Sequence, residues 1–147
     1  MKKIAVFLMA AVLALSICAC GSTPANNGGE QTKEPVSPPD LTGEWKQVNS
    51  NSEDAWQAAT ISDSEIIINW VSDNGDTKSL YWAGTFVAPT TPDEPYSWDS
   101  QNDKEQTSLA LLASSDDTKT FTYADGQLSY EAGALGTTMT IRMEKVG

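Results

Sequence analysis

From residue 40 onward, aromatic and β-branched residues come in short runs that are separated by turn-forming residues. Runs of about four to eight residues with this composition are typical of β-strands, and regular turn signals between them are typical of an all-β domain. Residues 40–147 contain about eight such runs. Eight strands in consecutive hairpins close most simply into an up-and-down barrel, because closure leaves no strand edge exposed. We therefore predict an all-β fold, a single small antiparallel barrel of about eight strands.

Two of the predicted hairpins have specific turn signals. Asn74-Gly75 and Asp125-Gly126 are dipeptides that readily adopt positive φ at both turn positions, as tight hairpins require. Residues 108–113, with the sequence SLALLA, fit either a buried strand or a short helix, because periodicity cannot separate the two over so few residues. The strands are predicted at residues 44–49, 56–61, 65–72, 77–87, 96–102, 120–124, 127–132 and 137–145.

Alternation along these strands predicts which side chains share a face, because successive residues of a strand point to opposite sides of the sheet. Trp70 and Trp82 fall on faces that look buried, so we expect both in the core. Arg142, in the last strand, is expected on the outer face. The sets that share a face are Ile66, Ile68 and Trp70 in the third strand, Leu80, Trp82, Gly84 and Phe86 in the fourth, and Met139, Ile141 and Met143 in the last.

The first 20 residues have the organisation of an export signal. Lys2 and Lys3 precede an apolar run over residues 4–17, which is too short for an ordinary membrane span of about 20 residues. The following residues 17–21 (ICACG) resemble the lipobox of bacterial lipoproteins. The resemblance implies that a lipid is attached to the Cys20 thiol and that the chain is cleaved just before it. The alternative is a plain secretory signal with two incidental cysteines.

Between the export signal and the barrel, the chain is predicted to be a flexible tether. Residues 20–39 are rich in Gly, Pro, Ser, Thr and Asn and have no apolar periodicity. A coil of this length spans about 20–25 Å. We expect a signal peptide (residues 1–19), a lipidated cysteine with its tether (residues 20–39) and a barrel domain (residues 40–147). The lipid would hold the protein at the extracytoplasmic face of a bacterial cell membrane.

Gly43-Glu44-Trp45 opens the first predicted strand. It resembles the Gly-x-Trp motif of the calycins, the group that contains the lipocalin and avidin barrels. The resemblance implies that the tryptophan plugs one end of the barrel and that an arginine of the last strand packs across it. Arg142 is the single arginine of the chain and lies in the last predicted strand. The resemblance therefore implies a structural pair of Trp45 and Arg142, joined by a cation–π contact.

Composition excludes several classes of function. The net charge of −11 argues against a nucleic-acid partner, because phosphate binding needs a basic surface. The chain has no histidine, and both cysteines lie in the first 20 residues, so a Cys/His zinc site and a disulfide framework are excluded. No nucleophile elbow, phosphate loop or dinucleotide fingerprint is present. The clustered acids are interpreted as solvated surface charge, so we expect no enzyme activity, no cofactor and no metal.

The five tryptophans carry the functional hypothesis. Trp56 and Trp98 have polar sequence neighbours, so we expect them at an exposed rim where they could bind a small apolar or aromatic ligand. Eight strands leave an interior that side chains can fill, so a packed core with a shallow mouth is expected. The alternative is an interaction protein that docks another envelope protein through its acidic surface. An exposed aromatic patch over a packed interior would favour that alternative.

Overall fold

Eight antiparallel strands, one short α-helix and a 3-10 turn at Asp73–Gly75 make up the computed structural model, which describes residues 36–134 and 136–147. The predicted signal peptide, the lipidation site at Cys20 and most of the predicted tether lie outside the described residues. Within the described residues, no helix has the length and apolar character needed to cross a membrane. The elements are β1 Gly43–Gln47, β2 Trp56–Ser62, β3 Glu65–Ser72, β4 Thr77–Thr85, β5 Tyr96–Gln101, α1 Lys104–Thr107, β6 Thr118–Ala124, β7 Gln127–Ala134 and β8 Thr137–Lys145.

The strands form a nearly closed up-and-down barrel, as predicted. Their order in the sheet is β4-β3-β2-β1-β8-β7-β6-β5, so each strand pairs with a sequence neighbour and β1 pairs with β8. Both predicted hairpins are present, and Asn74, Gly75, Asp125 and Gly126 all have positive φ. Asp125-Gly126 forms a two-residue turn, whereas residues 73–76 form a four-residue loop with a single 3-10 turn. The barrel is completed where β4 meets β5, at a single bridge between Gly84 and Asn102. We call this junction the β4–β5 seam.

The β4–β5 seam depends on a residue without a side chain. A Cβ atom at Gly84 would lie 2.5 Å from the Ser100 hydroxyl and 2.5 Å from the Gln101 carbonyl oxygen. The Trp82 indole N–H donates to the same Ser100 hydroxyl at 3.0 Å, and the Asp103 N–H donates to the Ala83 carbonyl at 2.8 Å. The two strands can make these contacts only because glycine permits close approach of the backbones.

A β-bulge in β4 changes which side chains enter the core. The pairing of β3 with β4 shifts between Ile68 and Asn69, so Ile68 faces Trp82 whereas Asn69 faces Leu80. The extra residue, Tyr81, therefore joins Trp82 in the buried core, and Leu80 is left outside it. The sequence-based assignment of Leu80 to the interior face is wrong, because a bulge interrupts the alternation on which it rested.

One end of the barrel is filled by aromatic side chains, and we call it the plugged end. Trp45, near the start of β1, is 2% exposed and its indole N–H donates to the Leu41 carbonyl at 2.9 Å. The ring of Tyr123 meets Trp45 edge-on, with 6.1 Å between the centroids. Phe86 and Trp98 pack together where β4 ends and β5 begins, also at this end. The opposite end, where β1 ends and β2 begins, is called the open end.

Residues 108–113 form neither the strand nor the helix considered from the sequence. They form an irregular loop that follows α1, and the Ser114 N–H just after them donates to the Tyr81 carbonyl at 2.8 Å. We call residues 108–113 the leucine loop. Leu109 is 90% exposed and Leu111 is 98% exposed. Apolar composition predicted burial here, but the loop lies outside the barrel wall beside β4, where little covers it.

Candidate ligand site at the open end

Two cavities open at the open end, on either side of Trp70. The first has a volume of about 380 Å³ and is lined by Trp70, Tyr81, Gly133 and residues 111–114. The second has a volume of about 240 Å³; besides Trp70, its wall includes Gln47, Trp56, Met139 and Ile141. Trp70 is half-buried and meets the Tyr81 ring edge-on at 5.2 Å between centroids. The open end therefore has a mostly apolar rim with Trp70 at its centre.

Several polar side chains lie in the barrel interior near this rim; Gln47, which accepts from the Gln57 N–H at 2.8 Å, is one of them, and three others form a cluster. Gln57, Tyr81 and Tyr130 are 0%, 2% and 3% exposed. The Tyr130 hydroxyl donates to Gln57 Oε1, and the Tyr81 and Tyr130 rings stack with 6.3 Å between centroids. Gln57 lies opposite Trp70 in the β2–β3 pairing, which connects the cluster to the rim. We call these three side chains the interior polar cluster.

The interior polar cluster contains two buried atoms without a partner. Among the described residues, neither Gln57 Nε2 nor the Tyr81 hydroxyl has a hydrogen-bond partner. A buried polar group without a hydrogen-bond partner destabilises the fold by about 1–3 kcal/mol, so native proteins usually provide a partner for it. These two atoms are therefore the places in the interior where a bound molecule would be most stabilising.

Burial keeps the Tyr130 hydroxyl in its protonated form. Burial raises the pKa of Tyr130 well above its ordinary value, and the charge that Tyr81 would carry if ionised raises it further. A protonated hydroxyl has one hydrogen to donate, and Gln57 Oε1 receives it. Tyr130 therefore holds the Gln57 amide in place and leaves its nitrogen facing elsewhere.

A lysine also points into the barrel. The Lys119 side chain is 5% exposed, and its ammonium lies 3.0 Å from the Asp116 carboxylate and 3.1 Å from the Glu131 carbonyl oxygen. The same ammonium lies 5.4 Å from the Tyr81 ring centroid and 5.3 Å from that of Trp82. The Ser114 hydroxyl and the Lys119 ammonium lower the pKa of the Asp116 carboxyl, so the carboxylate persists as the partner of the buried charge.

The base of the leucine loop is held by polar contacts, whereas its tip is apolar. The Asn102 amide donates to the carbonyls of Ser114 and Asp116 at 3.3 and 2.6 Å. Lys104 forms an ion pair of 3.1 Å with Asp117. Leu111 and Leu112 of the tip line the larger cavity, although both side chains are mostly exposed. The loop is thus a braced segment that presents leucines at the edge of the open end.

The structure separates the two tryptophans that the sequence placed at a rim. Trp56 is half-buried and lines the smaller cavity at the open end, with the Lys46 ammonium 4.1 Å from its ring centroid. Trp98 is only 6% exposed and stacks on Phe121 at 5.1 Å between centroids. The expected exposure of Trp98 is wrong, because β5 turns this side chain into the core. Trp70, which we expected in the core, instead occupies the rim.

The implied pair of Trp45 and Arg142 is not present. Trp45 is buried at the plugged end, as the Gly-x-Trp motif implies, but its strand partner in β8 is Lys145. Arg142 lies three residues earlier in β8, is exposed, and pairs with Ser129 of β7. Within the part of the chain that the structure describes, the cation–π contacts come from Lys46 and Lys119 instead. The outer-face position that alternation predicted for Arg142 explains why it cannot reach Trp45.

No protein-family model, no curated protein and no solved structure matches this chain. Over residues 36–134 and 136–147, no group of three or more acidic, histidine or cysteine side chains could hold a metal ion.

Sequence reasoning missed the interior polar cluster, although one signal for it was available. Gln57 shares a face with Ala59 and Ile61 in β2, and a polar residue at an interior-facing strand position is unusual. Lys119 gave no such signal, because it lies just before the predicted strand at residues 120–124. The interior position of Tyr81 depends on the bulge in β4, which strand alternation alone does not reveal.

Proposed function

We propose that this protein is a non-enzymatic binding module that holds a small apolar or aromatic ligand at the open end of the barrel. The observation that carries the proposal is the pair of buried atoms that have no partner among the described residues, Gln57 Nε2 and the Tyr81 hydroxyl, together with the position of Tyr81 in the wall of the larger cavity. An apolar cavity with a few convergent polar groups is the usual form of a small-molecule site. The cavity of about 380 Å³ beside Tyr81 is within the size range of such sites.

We further propose that the module is anchored outside the cytoplasm. The resemblance of residues 17–21 to a lipobox supports lipid attachment at Cys20 and a position on the outer face of a bacterial cell membrane. The nearly closed eight-stranded barrel and the buried Trp45 at the start of β1 support a calycin-like architecture. In that arrangement, β1 begins at the plugged end, at the opposite end of the barrel from the proposed ligand site.

Native mass spectrometry of the chain isolated from its cells in a mild detergent tests the binding proposal. We expect a reproducible extra mass of a few hundred daltons on the monomer, in addition to any attached lipid. A Trp70→Ala, Tyr81→Phe variant should lose that mass, whereas Tyr123→Phe at the plugged end should keep it. A bare chain that also fails to bind added aromatic probes would overturn the proposal.

The exposed leucine loop supports a second candidate, an interaction protein that docks another envelope protein. Leu109 and Leu111 are almost fully exposed, and acids such as Asp116 and Asp117 surround the base of the loop. Exposed apolar patches of this kind often mark contact surfaces. Cross-linking in intact cells should then capture one partner with the native chain and lose it with Leu109→Ser, Leu111→Ser. Unchanged capture with that variant would contradict this candidate.

A further inference from the structure

We infer that the ligand of the open end is uncharged and presents a hydrogen-bond acceptor, such as a carbonyl oxygen, to Tyr81 and Gln57. This inference rests on the proposed function and names the chemical class of the ligand. Three observations carry it: the kind of polar atom left without a partner, the charges already present around the cavity, and the composition of the cavity wall.

Each of the two atoms without a partner has hydrogen to donate, and only the Tyr81 hydroxyl oxygen can also accept. Gln57 Nε2 carries two hydrogens and accepts none, and the Tyr81 hydroxyl has a hydrogen to donate. The opposite orientation of the Gln57 amide would leave the buried Tyr130 hydroxyl hydrogen without an acceptor, so the contact between Tyr130 and Gln57 Oε1 assigns the orientation. The molecule that completes this part of the interior must therefore contribute acceptor oxygen or nitrogen atoms.

The charges around the cavity disfavour a charged ligand. Among the described residues, the buried cation nearby is Lys119, and it is already paired with the Asp116 carboxylate and the Glu131 carbonyl. A carboxylate ligand would thus lose its hydration without gaining a free positive charge, and it would approach a protein of net charge −11. An ammonium ligand could donate to the Tyr81 hydroxyl oxygen but would leave Gln57 Nε2 without an acceptor. Among the described residues, the wall of the larger cavity has no carboxylate side chain to neutralise the ligand's charge.

The wall of the larger cavity defines the rest of the ligand. Trp70, Tyr81, Leu111 and Leu112 supply aromatic and aliphatic surface, and the remaining lining is small. Such a wall favours a compact apolar or aromatic body, because its burial is driven by removal of apolar area from water. The ligand is then an apolar body with one acceptor group that points inward to Tyr81.

Three probes with the same ring system separate these features. They are 2-acetylnaphthalene (a neutral acceptor), 2-ethylnaphthalene (the same shape without the acceptor) and 2-naphthoate (a charged acceptor). Their dissociation constants are measured for the full chain by titration calorimetry. We expect 2-acetylnaphthalene to bind about tenfold more tightly than either of the other two probes. A buried donor that is left without an acceptor in the complex weakens binding by about tenfold or more.

Tyr81→Phe and Tyr123→Phe are the matched variants. Each removes one hydroxyl, the first beside the cavity and the second at the plugged end. Tyr81→Phe should reduce the preference for the ketone over the hydrocarbon to less than about threefold, with hydrocarbon binding unchanged. Tyr123→Phe should keep the full preference. Unchanged hydrocarbon binding also shows that Tyr81→Phe remains folded.

The outcomes distinguish the inference from the proposed function. Equal binding of the ketone and the hydrocarbon would overturn the inference and leave the binding proposal standing. Tightest binding of 2-naphthoate would likewise overturn it. Absence of binding by all three probes would count against the proposed function itself, and the inference would fall with it.

Discussion

The Lys119 ammonium lies inside the barrel 3.0 Å from the carboxylate of Asp116, which stands at the base of the leucine loop. The two side chains are 5% and 57% exposed, so a buried cation is paired with an anion that water still reaches. The contact connects the barrel wall to the loop. Because a buried charge without its partner is costly, the pair also makes the interior sensitive to changes in the loop.

Replacement of Asp116 should therefore destabilise the barrel more than replacement of Lys119. We expect Asp116→Ala to lower the free energy of unfolding by about 1–2 kcal/mol. This is less than the loss of about 3–5 kcal/mol that is typical when a fully buried pair loses one partner, because the Asp116 carboxylate is partly solvated. Lys119→Met removes the charge and keeps an apolar stem, so its cost should be smaller. Urea denaturation checks both variants. Asp117→Ala is the control, since Asp117 is 92% exposed; a larger loss for Lys119→Met than for Asp116→Ala would contradict this account.

The barrel should lose stability in acid, and Asp116 should account for part of that loss. Its carboxyl pKa is lowered in the folded chain by the Ser114 hydroxyl and then by Lys119. A depressed folded pKa stabilises the fold above the unfolded pKa, and this contribution disappears as pH falls from about 4 through the folded value. Urea midpoints measured between about pH 6 and pH 2.5 should fall less steeply for Asp116→Asn. If the urea midpoint fell equally steeply with pH in the native chain and in Asp116→Asn, Asp116 would not contribute to the acid sensitivity.

Addition of a methyl group at Gly84 should open the β4–β5 seam. The new Cβ would lie 2.5 Å from the Gln101 carbonyl oxygen. This is a backbone atom, so relief of the clash would require a shift of the β5 main chain. We expect Gly84→Ala to lower the free energy of unfolding by about 1–3 kcal/mol, a typical cost of overpacking. Gly133→Ala is the control, because nothing lies within 4 Å of the Cβ it would add. Equal thermal midpoints for the two variants would show that the seam tolerates the added atom.

Ligand entry at the open end should be visible in the emission of Trp70. This ring lies between the two cavities, whereas Trp98 is packed in the core. Addition of 2-acetylnaphthalene should change the tryptophan fluorescence of the native chain, and Trp70→Phe should abolish most of the change. Trp98→Phe should retain it, provided that circular dichroism shows the same β-structure. A response lost only in Trp98→Phe would place the ligand at the plugged end instead.

The strands were the part of the fold most accessible from the sequence. The predicted strands at residues 65–72 and 137–145 have the bounds of β3 and β8 in the structure. Strand alternation and the Asn-Gly and Asp-Gly turns are local signals, so no distant contact is needed to read them. The site was less accessible. Gln57 was visible only as a polar residue on an apolar strand face, and the exchange of roles between Trp70 and Trp98 was not predicted.

The sequence by itself determined the strands, their turns and their up-and-down order, because these follow from short-range patterns. The buried position of Trp45 was implied by the resemblance of Gly43-Glu44-Trp45 to the calycin motif. Only the tertiary structure decided what faces the open end. The bulge that turns Tyr81 inward depends on the register of β3 with β4, and the approach of the Lys119 ammonium to the Tyr81 and Trp82 rings depends on contact between segments that are distant along the chain. So does the exposure of Leu109 and Leu111, since the seam leaves their loop outside the barrel wall. A strand pattern states which residues alternate, but the stagger and closure of the barrel decide which of them reach its ends.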